Sequence, residues 1–311
     1  KSTATSPPTL AVRPSSPTGK ASTATADKAA AEGEASAAAT STAAAPAVAV
    51  NSSWQLLPQD NLLYLETDQG RIVILLAPQF APEHVKRVKQ LVKAGFYDGV
   101  TFYRVIEGFV AQFGVPEHEW GSRAKLTPMK AEFSWPVRSG DPYLLVQRPD
   151  LLAEETGFNQ GFAVAREQNQ EWLVHCPGVV NMARANEPDT GVADIAIMMG
   201  QATRHLDKNM SAFGKVIWGQ YAINRIRRGD TADGGVIGSA AARTVIKQAR
   251  LGTDLAPDRQ LQLEWLSTTS SEFSQSLAER RSRTHVFYQH KGNGNMDVCY
   301  PQVPVREVKP V

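Results

Sequence analysis

Residues Thr101–Gly114 read TFYRVIEGFVAQFG, and the fold hangs on this ribbon. Phe102, Val105, Ile106 and Phe109 mark an apolar strand pattern that holds one cation, Arg104, with Gln112 following in the same stretch. A guanidinium among so many apolar neighbours must pair with an acid, snorkel to water or face a cleft. A strand arginine paired with a carboxylate such as Glu107 is the plain structural alternative to a functional Arg104.

Upstream, Asn61–Thr67 and Arg71–Leu76 are apolar strand-like runs separated by Asp68-Gln69-Gly70, which predicts a hairpin. Pro82–Ala94 places Val85, Val88, Leu91 and Val92 on one helical face, with Pro82 suited to the first turn and Gly95 to the stop. Phe96-Tyr97-Asp98-Gly99 then turns into the Arg104 strand.

Downstream, the segment from Val137 to Trp172 is rich in Gln, Glu, Arg and Pro. Its apolar runs, Tyr143–Val146 and Gly161–Val164, are expected to pair as an added hairpin in an ordered insertion near the rim of the fold. Tyr221–Arg228 reads as a second amphipathic helix with Ile223 and Ile226 inward, and Arg243–Leu251 alternates as a strand. Beyond it, Gln260–Leu266 reads as a strand and Ser271–Arg283 as a helix carrying Phe273 and Leu277 on one side. Arg280, Arg281 and Arg283 suit the end of that helix, where the dipole favours cations. Asp233–Gly238 (DGGVIG) lacks a surrounding strand–helix nucleotide unit and reads as a loop; Gly292–Asn295 (GNGN) reads as a turn.

The chain has 311 residues and a formal net charge of +2, too balanced to suggest a nucleic-acid or anionic-membrane partner. No apolar run is long enough for a membrane-spanning helix. Lys1–Val50 is almost all Ala, Ser, Thr, Pro, Gly and charge without an aromatic residue, so residues 1–53 are expected to form a disordered tail. The two cysteines, Cys176 and Cys299, are open to two readings: one long-range bridge, or two separate thiols. The six His are scattered without ligand spacing, so no metal site is expected. A first residue that is not Met, the tether-like tail and the two cysteines together suggest an exported bacterial protein, periplasmic or secreted.

The Thr101–Gly114 stretch closely resembles the active-site ribbon of the cyclophilin-type peptidyl-prolyl cis/trans isomerases, written FHRVIxGFxxQgG. The resemblance continues through the hairpin, helix and turn before it, through Leu173–Ala183 (LVHCPGVVNMA) and through His205–Ile217 (HLDKNMSAFGKVI), which is similar to the family's xLDxxxxxFGxV. It covers roughly Leu62–Leu251 apart from the insertion. It implies a mainly β fold, a closed antiparallel eight-stranded barrel capped by two helices. The barrel would span residues 54–252, with an insertion at about 137–172 and an extension over 253–311.

The resemblance further implies an isomerase that accelerates X–Pro isomerisation in protein folding, needs no cofactor and acts as a monomer on proline-containing polypeptides. Arg104 falls on the family's catalytic arginine, Phe109 on the floor of the proline pocket, and Gln112 on the residue that bonds the substrate backbone and steadies the arginine. Leu206 matches a pocket leucine; Met182 and Ala183 match the groove lining. For Phe109 and Leu206, ordinary barrel core would predict the same residue types. The chain also departs from the pattern. Tyr103 replaces a His; Asp194, Ile195 and Ala196 replace Gln-Phe-Phe; His205 replaces Trp or Phe; Met210 replaces His or Tyr. Asp194, Ala196, His205 and Met210 therefore complete the expected substrate-binding set, with a pocket widened at Ala196 and Asp194 pairing with Arg104 or a substrate amide. The alternative is a peptide-binding chaperone module of the same fold with little isomerase activity.

Overall fold

The computed structural model describes residues 53–115, 126–201 and 203–308. The tail expected before residue 53 lies outside the described residues. Strand β1 (Trp54–Leu56) comes first, followed by the hairpin of β2 (Leu62–Thr67) and β3 (Gly70–Leu76). The Thr67 hydroxyl closes its turn, donating to Gly70 O at 2.6 Å and accepting from the Gln69 N–H at 3.0 Å. Helix α1 (Pro82–Lys93) has Pro82 at its first position and buries Val85, Val88, Leu91 and Val92, as the periodicity predicts. The central ribbon is β4 (Thr101–Ile106) and β5 (Val110–Gly114).

Five strands follow in and beside the inserted segment: β6 (Trp135–Pro136), just ahead of it, then β7 (Tyr143–Gln147), β8 (Glu155–Asn159), β9 (Phe162–Glu167) and β10 (Gln170–Leu173). Then come β11 (Val179–Met182), β12 (Ile195–Met198), β13 (Ala212–Trp218), α2 (Gln220–Arg225) and β14 (Thr244–Leu251). The extension supplies β15 (Leu263–Leu266), α3 (Ser271–Ser282) and β16 (Val305–Glu307).

Eight strands close an antiparallel barrel in the order β11-β12-β5-β4-β14-β2-β3-β13. Side chains alternate across a strand, so each wall has two apolar faces. Leu63, Ile74, Phe102, Phe113, Ile197 and Phe213 turn inward and pack with α1 and α2. Leu62, Tyr64, Val73, Leu75 and Met198 turn outward, where an isolated barrel would meet water, and form a second core.

That outer core explains the inserted segment. Its strands form one sheet in the order β6-β10-β9-β8-β7. The two apolar runs do not pair with each other as expected: Tyr143–Gln147 pairs with β8, and β8 with β9. β8 escaped the sequence reading because its sequence, ETGFN, carries polar residues that become buried with partners. Asn159 Nδ2 donates to Glu171 Oε1 at 2.8 Å and to Asp141 Oδ2 at 3.1 Å. The sheet packs against the outer wall rather than standing apart, with Phe158 edge-on to Phe273 of α3 at 5.2 Å and Phe162 edge-on to Trp265 of β15 at 5.6 Å.

The extension is part of this core. Leu263, Leu266, Phe273, Leu277 and Val298 are buried in it, and β15 pairs with β1 and β16 in a three-stranded sheet. The expected strand at Gln260 begins only at Leu263, and the expected helix to Arg228 stops at Arg225, though Ile223 and Ile226 are both buried. Of the arginine cluster, Arg281 is structural: its Nη1 donates to Gly294 O at 2.6 Å and its Nη2 to Val146 O of β7. Cys176 and Cys299 form a disulfide across a separation of 123 residues, which resolves the two readings. Closing a loop of that size stabilises a fold by roughly 5 kcal/mol in the chain-entropy account.

Candidate active site

Across the central ribbon Phe102 faces Phe113 and Arg104 faces Gln112, so Tyr103 is an extra residue in β4. Neighbours in a regular strand point to opposite faces. A bulge re-aims them, and here it lets two consecutive side chains, Tyr103 and Arg104, reach the same glutamine. Arg104 Nη1 donates to Gln112 Oε1 at 3.4 Å, and Gln112 Nε2 donates to the Tyr103 hydroxyl. That hydroxyl donates in turn to Asp194 Oδ2 at 2.5 Å, while Asp194 Oδ1 accepts from the Val115 N–H at 3.3 Å. Gly114 makes room for the carboxylate: at φ +147°, a Cβ there would collide with Asp194 Oδ1.

Arg104 is held from its other side by the DGGVIG loop. Its Nε donates to Gly234 O at 3.0 Å. The loop runs along β4, with the Val105 N–H donating to Gly235 O and the Ile237 N–H to Tyr103 O, both at 2.8 Å. Glu107, the acid offered as the structural partner of Arg104, is instead bonded by Arg228 Nε. Among the described residues no carboxylate pairs with Arg104, and nothing is bonded to its Nη2.

The remaining expected residues divide in two. Gln112, Ala183 and Asp194 line a groove of about 500 Å³ with Tyr103, Leu126 and Val192. Phe109 is half-buried and stacks on the exposed His205 with ring centroids 5.8 Å apart; Leu206 and Met210 are also half-buried. Ala196 is buried and faces Gln112 across β12 and β5. Met182 is a correction: at 1 % exposure it lies in the barrel interior, because the alternation of β11 turns it inward. Ala183 lines the groove without it. Of the two pairings expected for Asp194, the one with Arg104 is not made: its carboxylate accepts from Tyr103 instead. Tyr103 carried no assigned role in the sequence reading. A signal existed, since two departures from the family pattern, Tyr103 and Asp194, are the two ends of one hydrogen bond.

Burial pushes the Asp194 carboxyl up to about 6 from an ordinary 3.8, against the hydrogen bonds from Tyr103 and Val115 that favour its charged form. Burial, and then the adjacent Asp194 charge, raise the Tyr103 phenol far above its usual range. A raised carboxyl means that the folded state holds the proton more tightly than the unfolded chain. Stability should therefore fall as pH rises from about 4 to about 6, by up to roughly 3 kcal/mol from this group, and level off above. Urea unfolding of wild type and Asp194→Asn across that window checks this: the wild type should lose stability relative to the variant as pH rises. Parallel pH dependences would refute it.

Comparison with known proteins agrees with this geometry. Residues 62–250 match the family model for "Cyclophilin type peptidyl-prolyl cis-trans isomerase/CLD". A Brucella suis protein named "Probable peptidyl-prolyl cis-trans isomerase" is 30% identical over 178 residues, 57% of this chain and 77% of its own length. Peptidyl-prolyl cis-trans isomerase B of Bacillus subtilis is 29% identical over 167 residues, 54% of this chain and 90% of its own. The crystal structure of cyclophilin AquaCyp293 from Hirschia baltica superposes with a TM-score of 0.66 at 26% identity, covering 82% of this chain and 93% of that one. With the barrel, the ribbon and more than half of the sequence in agreement, the chain belongs to the cyclophilin-type peptidyl-prolyl cis-trans isomerases, and isomerisation of prolyl peptide bonds is its activity.

Proposed function

We propose that Arg104 is the catalytic residue and that the outer wall of β5 and β12 holds the substrate. Resonance gives the X–Pro amide a rotation barrier of roughly 18–20 kcal/mol. In the twisted amide resonance is broken and the prolyl nitrogen gains basicity. A fixed donor aimed at that nitrogen stabilises the twisted state more than either planar one, which is the differential binding that lowers a barrier. Guanidinium suits the task because it is planar, multidentate and always charged. The observation that carries this reading is the tethering of Arg104 by Gly234 O and Gln112 with Nη2 left unbonded among the described residues.

Phe109, Leu206 and Met210 offer half-buried apolar surface for the proline ring, Gln112 bonds the substrate backbone, and Ala183 lines the continuing groove. The substrates are proline-containing polypeptides, met by a monomer outside the reducing cytoplasm; the Cys176–Cys299 disulfide supports the oxidising compartment. The test is the isomerisation rate of an Xaa–Pro peptide with wild type and Arg104→Ala, with peptide binding measured by calorimetry. Should both proteins bind peptide and both give the uncatalysed rate, the chaperone-module reading takes its place, in keeping with the small wall at Ala196.

A further inference from the structure

Four side chains beside the groove form a hydrogen-bonded row that runs in one direction. Arg104 donates to Gln112, Gln112 to Tyr103, and Tyr103 to Asp194. A carboxylate only accepts, a phenol has one proton, and a primary amide has one accepting and one donating end. The terminal carboxylate therefore fixes the phenol proton. The phenol oxygen then accepts the amide N–H, which leaves the amide oxygen facing the guanidinium. We propose that Asp194 and Tyr103 are positioning residues for isomerisation: the ionised carboxylate, acting through the phenol, holds the oxygen of Gln112 toward Arg104. The proposal rests on the assignment of Arg104 as the catalytic group.

Reversing the row is what protonation would do. A neutral Asp194 can donate to Tyr103, whose own proton then turns to Gln112. The amide must rotate to accept it, and its NH2 comes to face a guanidinium that has only donors. The asparagine isostere reproduces this reversal at every pH. The Val115 N–H is a fixed donor to one oxygen position of residue 194. An asparagine would place its oxygen there and its NH2 toward Tyr103.

Among the groups around the row, Asp194 is the acid that burial pushes toward neutrality. From β4 come Tyr103 and Arg104. Tyr97, in the turn before β4, donates its hydroxyl to Ala193 O at 2.7 Å, and burial raises its phenol. Arg87 of α1 donates to Val192 O at 3.1 Å, and Arg184, after β11, lines the same groove. Arginine carries a permanent charge and phenols are neutral over pH 5–8. Burial pushes Asp194 up to about 6.

The experiment is kcat/KM against pH from 5 to 8 for wild type, Asp194→Asn, Tyr103→Phe, the double variant and Arg104→Ala, with peptide affinity measured alongside. The wild-type profile should rise through about pH 6. Both single variants should be flat and about tenfold lower at pH 7.5, chiefly in kcat, and the double variant no worse than either. If Asp194→Asn keeps the wild-type rate and profile while Arg104→Ala is inactive, the positioning role is overturned and the catalytic assignment stands. Full activity in Arg104→Ala overturns both. Circular dichroism and unfolding midpoints establish that the variants fold. If Asp194→Asn does not, Tyr103→Phe, which removes only a hydroxyl, decides by the same criteria.

Discussion

Arg104→Ala should lower kcat/KM for Xaa–Pro isomerisation by about two to three orders of magnitude, the loss seen when a donor that stabilises transition-state charge is removed. The effect should fall on kcat more than on KM, because the prolyl nitrogen becomes a good acceptor only as the amide twists. Folding should persist. Arg104 lies on the outer wall with no ion pair among the described residues, and the β4–β5 register is set by apolar pairs such as Phe102 with Phe113. Arg104→Lys should recover little, because an ammonium cannot satisfy Gly234 O and Gln112 and still present a donor in the plane they define. A coupled-protease or NMR exchange assay reads both variants. Wild-type rates in Arg104→Ala would remove this residue from the chemistry.

Arg204→Met should destabilise the protein by about 3–5 kcal/mol, the cost of leaving buried charge without its partner. Arg204 is at the start of the turn that carries His205 and Leu206, and its side chain is 5% exposed. It donates to Asp150 of the inserted segment at 2.7 Å and 3.1 Å, to Asp297 of the extension at 3.3 Å, and to Asp207 at 3.5 Å. Burial disfavours the charge on Asp150, yet the bonds from Arg204 and the Leu152 N–H hold its carboxyl below the ordinary value of 3.8. That contribution is present above about pH 4 and disappears as acid protonates Asp150. Unfolding midpoints at pH 7 should drop by roughly 10 °C. Arg204→Met/Asp150→Leu should recover part of the loss, since an apolar pair needs no counter-charge. A single variant as stable as wild type would contradict a structural role for the Arg204 ion pairs. Because the turn also positions Leu206, the single variant should bind peptide more weakly even where it remains folded.

The parts of the fold legible in the sequence were those that short-range patterns specify. The β2–β3 hairpin, α1 and the β4–β5 ribbon each carry their turn residues and apolar period within about a dozen positions. The inserted sheet does not. β8 reads as polar, yet Glu155 pairs with Arg148, just past the end of β7, and Asn159 donates to Glu171 of β10, and no local pattern reports that. The extension looked like an appendage because its burial depends on an outer barrel face that exists only after closure. At the site, Arg104, Gln112 and Ala183 could be placed by motif, whereas Tyr103 could not. A period-two strand sends Tyr103 away from Gln112, and only the bulge brings it back.

The disulfide has a consequence for how the molecule survives a protease. Between α3 and Cys299 the chain passes through an exposed stretch in which Phe287 is 77% accessible, an inviting site for a chymotrypsin-like enzyme. Hydrolysis after Phe287 would sever the backbone, but the severed end would still be fastened to Cys176. Such a clipped form would migrate as one species until a reductant is added, and only then shed its C-terminal peptide.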